Sequence, residues 1–446
     1  MLEAGLGPGL LTLLFFLLLV VLIFSGLSLA FALGGASVVF TLLFWKTSAL
    51  YMFSTNVVGL MQNIILVAVP MFIFMGAVLQ RTEIGEDLYE LVYRTLGRVS
   101  GGLAIGTVLI CTVFAAMAGA SAPATVSMGL VALPSMLTRK YHQRVAIGSI
   151  AAGGALGILI PPSVPMILYG MITGTSVGKL FIGGVFPGLL LSGMFCAYIA
   201  IQCAMDPTMG PAIPKELLKK EKLANKGSLD FLLTLGLPIF LILSVLGSIY
   251  SGMATPTEAS AVGAFGALVV AGINRRLSFP VLKDATLEAL RLSAMIMWIA
   301  LGGFWFSSVY QAIGASKFVS DILIGGNLEP WTIIMIMQMI FFFLGCLMDP
   351  SGIIFVTMPI FFPIIVKLGF DPVWYGVLFI VNMEMAYLTP PFGVNLFYLK
   401  AICSKDVKME QIIRSCMPFI AIQAVGLILC MLFPQIITWL PGKMIK

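Results

Sequence analysis

Charge is what this chain has least of. Asp, Glu, Lys and Arg supply 10% of its 446 residues while apolar side chains supply 60%, whereas soluble domains carry roughly 25% charged residues. No soluble fold of this length could bury so much apolar surface. Histidine is nearly absent: His142 is the only one, which excludes histidine-rich zinc or di-iron chemistry. It sits in the basic run TRKYHQR and reads as a solvated surface residue. The seven cysteines show no CxxC spacing and lie in or beside apolar runs, as small packing residues do. GxSxG, HExxH, P-loop and strand–helix dinucleotide fingerprints are missing. Catalysis is therefore not expected, and this chain does not itself hydrolyse ATP. The net charge of +6 calls for no nucleic-acid partner.

What is present are apolar stretches of spanning length from end to end, broken by short polar connectors. The fold class this implies is an all-α polytopic membrane protein. The start, MLEAGLGPGLL, lacks a positive n-region and reads as a retained helix, not a cleaved signal. The connectors at 81–98, 139–144, 206–228, 274–291 and 400–414 hold 19 of the 25 Lys and Arg residues. The positive-inside rule places them in the cytoplasm and both chain ends on the opposite side. The stretches 81–98 and 278–291 look like amphipathic helices lying at the interface.

Proline carries the next signal. Pro-Pro pairs stand at Pro161–Pro162 and Pro390–Pro391, 229 residues apart, each inside an apolar run. Tandem prolines remove amide donors and block helix continuation. Unwound backbone at membrane depth is tolerated only when buried in protein or lining a polar cavity. Ile84–Gly85 and Ile313–Gly314, and Pro134 and Pro363, keep the same 229-residue offset. We therefore expect two halves, 1–205 and 231–446, joined by a cytoplasmic linker over 206–230. Each would hold a re-entrant hairpin (about 100–138 and 330–366, tips at AGASA and MDPSG) and a Pro-Pro-broken helix (about 144–172 and 373–400). The first hairpin is flanked by cations and the second is not, so the halves are expected to have opposite orientation, an inverted-topology repeat typical of secondary transporters.

The tips and breaks are where chemistry is expected. Helix C-termini expose carbonyls that suit a hard cation such as Na⁺, and N-termini present amides that suit an anion. Candidate cation ligands are Gly119, Ala120, Ser121, Pro161, Ser163, Asp349, Ser351, Gly352, Thr389 and Pro390. Candidate substrate contacts are Ser121, Pro162, Ser163, Ser351 and Pro391. The competing reading is that these small residues only allow close helix packing. Two further acids lie at membrane depth. Glu384 is expected to act functionally or to hold the unwound helix by its free amides. Glu258 in ATPTEAS is at least as well explained as a helix cap.

The runs GALGILIPPSVPMILYGMITGTSVGKLFIGGVFPGLLL (154–191), SGMATPTEASAVGAFGAL (251–268), PMFIFMGAVLQRTEIGEDLY (70–89) and LMDPSGIIFVTMPIFFPIIVKLGFDPVWYGVLFIVNMEMAYLTPPFGVNLF (347–397) resemble the large membrane subunit of tripartite ATP-independent periplasmic (TRAP) transporters over about residues 10 to 440. The resemblance implies scaffold helices around a mobile, hairpin-containing transport domain in the bacterial inner membrane, with periplasmic chain ends. It implies Na⁺-coupled import of an organic anion, a carboxylate or sugar acid, by alternating access. No cofactor beyond Na⁺ as coupling ion is implied. The expected partners are a periplasmic substrate-binding protein and a small four-helix membrane subunit. The first tip departs from the family pattern at Ala120, where a second serine is expected, so only its backbone carbonyl could meet an ion. A stand-alone Na⁺/dicarboxylate symporter of the same superfamily is the alternative, and an ion channel a more distant one.

Overall fold

The computed structural model describes residues 7–444 apart from 46, 83, 215–227, 327 and 392. Among the described residues every regular element is helical. Helices α1 (Pro8–Phe24), α2 (Leu29–Phe44) and α3 (Tyr51–Met61) lead to α4 (Ala68–Arg81) and α5 (Ile84–Leu96). Then come α6 (Gly102–Ala118), α7 (Ser121–Thr138), α8 (Gln143–Ala155), α9 (Val164–Thr173) and α10 (Val177–Met205). The second half has α11 (Ser228–Tyr250), α12 (Pro256–Ile273), α13 (Phe279–Ala312), α14 (Ala315–Gly325), α15 (Pro330–Gly345), α16 (Pro350–Lys367), α17 (Pro372–Ala386), α18 (Val394–Ile402) and α19 (Met409–Leu432). Seven described helical stretches are long and apolar enough to cross a membrane, α10, α12, α13 and α19 among them. Large apolar side chains such as Leu13, Phe24, Phe240, Phe265 and Phe343 point outward, as lipid-facing residues do.

The order of elements from α5 to α10 recurs from α14 to α19. A short helix precedes two helices packed on each other (α6 on α7, α15 on α16), then a helix interrupted at Pro-Pro, then a long helix. The interrupted helices form the centre. Residues 145–170 and 373–388 are buried without exception. That explains why their sequences are apolar all round and carry no helical stripe. The alanine- and glycine-rich run of α8 lets α6, α7 and α19 close on it. Around this centre α4 packs on α12 and α13, and α13 packs on α2 and α16.

One local reading changes. The stretch 278–291 is no separate surface helix; it is the first part of the unbroken 34-residue α13. The expected linker lies mostly outside the described residues, but its start is fixed: Gly210 O accepts from Gly101 N at 2.8 Å, and Ile213 N donates to Gly97 O at 2.8 Å. Glu258 makes a capping box with Thr255 at the start of α12, which accounts for its position.

The α2–α13 crossing depends on Gly302, where a Cβ would lie 2.4 Å from Ala30 O. Gly302→Val should lower the thermal midpoint of the purified protein, at a cost of about 1–3 kcal/mol from overpacking. Gly35→Val, on the same α2 but facing open space, should leave it nearly unchanged. Equal midpoints for the two variants would contradict this packing.

Candidate functional site

The first hairpin turns in two residues. Gly119 closes α6 with φ 63°, Ala120 is extended, and α7 begins at Ser121. A left-handed residue at a helix end is a glycine position, and here a Cβ would also meet Pro162 O at 2.5 Å. The Ala120 carbonyl lies as closely on Gly157, and Val164 N donates to Gly119 O at 3.5 Å. The hairpin tip therefore sits directly on the first Pro-Pro break. The Pro161–Pro162 and Pro390–Pro391 peptide bonds are both cis.

A buried asparagine ties the tip to the second break. Ser121 Oγ donates to Asn395 Oδ1, and Asn395 Nδ2 donates to Ala151 O at 3.2 Å. One fully buried side chain thus joins α7, α8 and α18. Sequence reasoning missed it, although it stands in the quoted PPFGVN run.

At the second tip Asp349 caps α16, one carboxylate oxygen accepting from Ser351 N at 2.9 Å and the other from Tyr387 Oη at 3.0 Å. The hydroxyl of Tyr387 thereby links the second tip to the end of α17.

A cavity of about 610 Å³ opens where these pieces meet. Of the residues expected to form a site, Gly119, Ala120, Ser121, Asp349 and Ser351 line it. The others stand apart. Pro161, Pro162 and Ser163 are buried behind the tip, and Ser163 Oγ donates to Ile158 O. Gly352 faces Leu29 of α2. Thr389 Oγ1 turns back to Met385 O at 2.9 Å, and Pro391 is exposed. From around the breaks the cavity is reached by Ile158 and Tyr387 just before them, and by Val164 and Pro165 on α9 and Val394 on α18 just after them. Four helices, α7, α9, α16 and α18, therefore begin at this one cavity.

The opposite wall is made by α4 and α13, and it carries charge that the sequence places in cytoplasmic connectors. Arg81 Nη2 donates to Glu288 Oε2 at 2.6 Å across the two helices, and Asp284 and Arg291 line the same cavity. Next to Arg81, Gln80 Nε2 donates to Ser127 Oγ on α7 at 3.2 Å. A charged residue near a helix end carries no mark of such a role, because its wall is completed by a helix some two hundred residues away. Among the described residues no three His, Cys, Asp or Glu gather as a metal cluster.

Glu384 does not hold the unwound helix. It is fully buried, bonds to no backbone amide, and its carboxyl faces the side-chain amide of Gln423 on α19.

A family model described as "Tripartite ATP-independent periplasmic transporter, DctM component" matches residues 16–436. The C4-dicarboxylate TRAP transporter large permease protein DctM of Pseudomonas aeruginosa is 35% identical, over 89% of this chain and 90% of that one. The ectoine/5-hydroxyectoine TRAP transporter large permease protein UehC of Ruegeria pomeroyi is 30% identical, over 95% and 97%. The crystal structure of the YdaH transporter of Alcanivorax borkumensis matches with a TM-score of 0.59 at 16% identity, over 89% of this chain and 90% of that one, which shows a shared fold.

Asn395→Leu strands the Ala151 carbonyl and the Ser121 hydroxyl, and should destabilise the protein by about 1–3 kcal/mol, read as a lower thermal midpoint. Ser121→Ala, which leaves the Asn395–Ala151 bond in place, should lose less. A wild-type midpoint in the leucine variant would show that the tether does not form.

Proposed function

This chain belongs to the DctM component family of tripartite ATP-independent periplasmic transporters, and on that basis we propose that it is the permease through which a carboxylate-bearing solute crosses the membrane, driven by Na⁺. The observation that carries the reading is the cavity at which four helices begin. Each helix N-terminus presents unpaired amides and a positive dipole end, and negative charge is stabilised there. Asp349 already fills one N-terminus as its cap, Val164 N of α9 donates to Gly119 O and Asn395 N of α18 to Tyr387 O. The start of α7, at Ser121 and Ala122 beside the cavity, leaves amide ends for a carboxylate, and the dipole ends of the others add to it. Both relatives' named solutes, a C4-dicarboxylate and ectoine, contain a carboxylate group.

Na⁺ would be a co-transported substrate. Where the first tip meets the first break, the Pro162 carbonyl lies against Gly119 and the Ala120 carbonyl against Gly157, and oxygen donors of this kind suit a small hard cation. Ser121 and Asp349 add a hydroxyl and a carboxylate from the two tips. Binding a cation beside the tips would offset the negative charge of an incoming carboxylate, and that links the two fluxes in one direction.

The charged wall gives the orientation of the present state. Arg81 and Arg291 belong to the cation-rich connectors assigned to the cytoplasm, and both line the cavity. The reading that follows is a cavity open to the cytoplasm, with the α6–α7 and α15–α16 tips moving past the α4–α13 wall to open it on the other side. The two halves, in opposite membrane orientation, would supply the symmetry for that exchange. TRAP large permeases work with a substrate-binding protein and usually with a small membrane subunit. The solute would arrive on the first and the scaffold would dock the second.

Reconstitution in proteoliposomes with the cognate partners tests the coupling: an inward Na⁺ gradient should drive solute accumulation, and collapsing it should abolish accumulation. Uptake indifferent to Na⁺ would reject the coupling. Ser121→Ala and Asp349→Asn should each shift the Na⁺ activation curve to higher concentration while leaving membrane insertion intact. An unshifted curve in both would remove the tips from the cation site.

A further inference from the structure

The basic run that the transport reading leaves unused forms a second recess. It lies where the α7–α8 turn meets the start of α19, about 580 Å³ in volume, and Lys140, His142, Arg144, Gln411 and Arg414 are on its walls. Lys140 and Arg144 have no acidic partner among the described residues. Arg414 pairs with Glu410 at 2.6 Å, but both side chains are about two-thirds exposed, so the pair is weak and easily exchanged. The acid that comes near, Asp206 beside His142, is turned onto the amide and hydroxyl of Thr208.

The backbone also favours a ligand of negative charge. Helix α8 opens at Gln143 with its positive dipole end next to the recess. His142 Nδ1 already caps Arg144 N at 3.2 Å, so a ligand would meet the dipole end and the side chains there. Lys140 follows the end of α7 in the left-handed conformation, φ 61°. Glycine holds such a position at lower cost, yet a lysine stands there and its side chain reaches the recess. Three cations, a polar amide side chain and a helix start around one concavity match the acceptor oxygens of a phosphate group. The flanks are apolar: Leu137, just before the turn on α7, is 37% exposed, and Met417, one turn beyond Arg414 on α19, is 56% exposed.

We propose that this recess is a binding site for a phosphate-bearing anion, supplied in the membrane by the headgroup of an anionic phospholipid whose acyl chains lie along Leu137 and Met417. The site is separate from the transport cavity and involves none of its residues. Its connectors are those whose cation content marks the cytoplasmic leaflet, where anionic headgroups attract Lys and Arg. A bound headgroup would pin the α7–α8 turn to α19, and so hold the base of the first hairpin.

The test uses the full chain in detergent, titrated separately with dioleoyl phosphatidylglycerol, dioleoyl phosphatidylcholine and inorganic phosphate. Binding is read by native mass spectrometry and by the thermal midpoint. Phosphatidylglycerol should bind saturably and raise the midpoint, with phosphatidylcholine and inorganic phosphate weaker. In K140Q/R144Q/R414Q the phosphatidylglycerol affinity should fall about five-fold for each cation removed. All three positions are exposed, so the variant should fold, and its midpoint without lipid checks this. A response to inorganic phosphate equal to that of the lipid would keep the anion site and overturn the lipid assignment. Equal phosphatidylglycerol binding by wild type and the triple variant, or no preference over phosphatidylcholine, would overturn the site itself.

Discussion

Backbone unwound within a membrane must find its hydrogen-bonding and packing partners inside the protein, and the architecture of this chain follows from that constraint. Four segments are unwound, two hairpin tips and two Pro-Pro breaks. They are satisfied by being set against one another. Gly119 lies on the Pro162 carbonyl, Ala120 on Gly157, Ser121 on Asn395, and Tyr387 on Asp349. Each contact joins segments far apart in sequence. The cavity follows from this arrangement: helices that begin at satisfied breaks leave their remaining amide ends around a shared space.

Helices around the breaks have the compositions their positions require. The interrupted helices are buried on every side, so α8 is built of small residues and α17 of apolar ones except for Asn382 and Glu384. The outer helices tolerate large exposed side chains because lipid, not water, faces them. The two breaks are not equivalent. The first is sealed, with Pro161, Pro162 and Ser163 buried, while Pro391 of the second is exposed.

Much of this is legible in the chain alone. Proline chemistry locates both interruptions, and the small-residue turn at Gly119–Ser121 and the acidic turn at Asp349 both line the cavity. Other parts cannot be read that way. Asn395 is one polar residue after a break, and its value lies in partners on α7 and α8 that only the tertiary fold brings to it. Arg81 ends α4 and Glu288 lies in the third turn of α13, where the sequence reads an aqueous connector; their pairing needs two helices to cross. Ser163 and Thr389 are expected at the site because they adjoin the breaks, but a hydroxyl next to unwound backbone is readily taken by a nearby carbonyl, as Ile158 and Met385 do here. Glu384 is expected to serve free amides, yet it points to α19, a direction that the spacing to Pro390 does not encode.

If the chain is a carrier, its two tips line one solute path that opens to a single side at a time. The sharpest measurement is the reactivity of Ala122→Cys, a cavity-lining position beside the first tip, with a membrane-impermeant maleimide applied to each face of reconstituted protein whose seven native cysteines have been replaced. Labelling should occur from the face bearing the basic connectors, with protection from the other face while this state holds. Simultaneous labelling from both faces would describe a continuous pore and contradict the carrier.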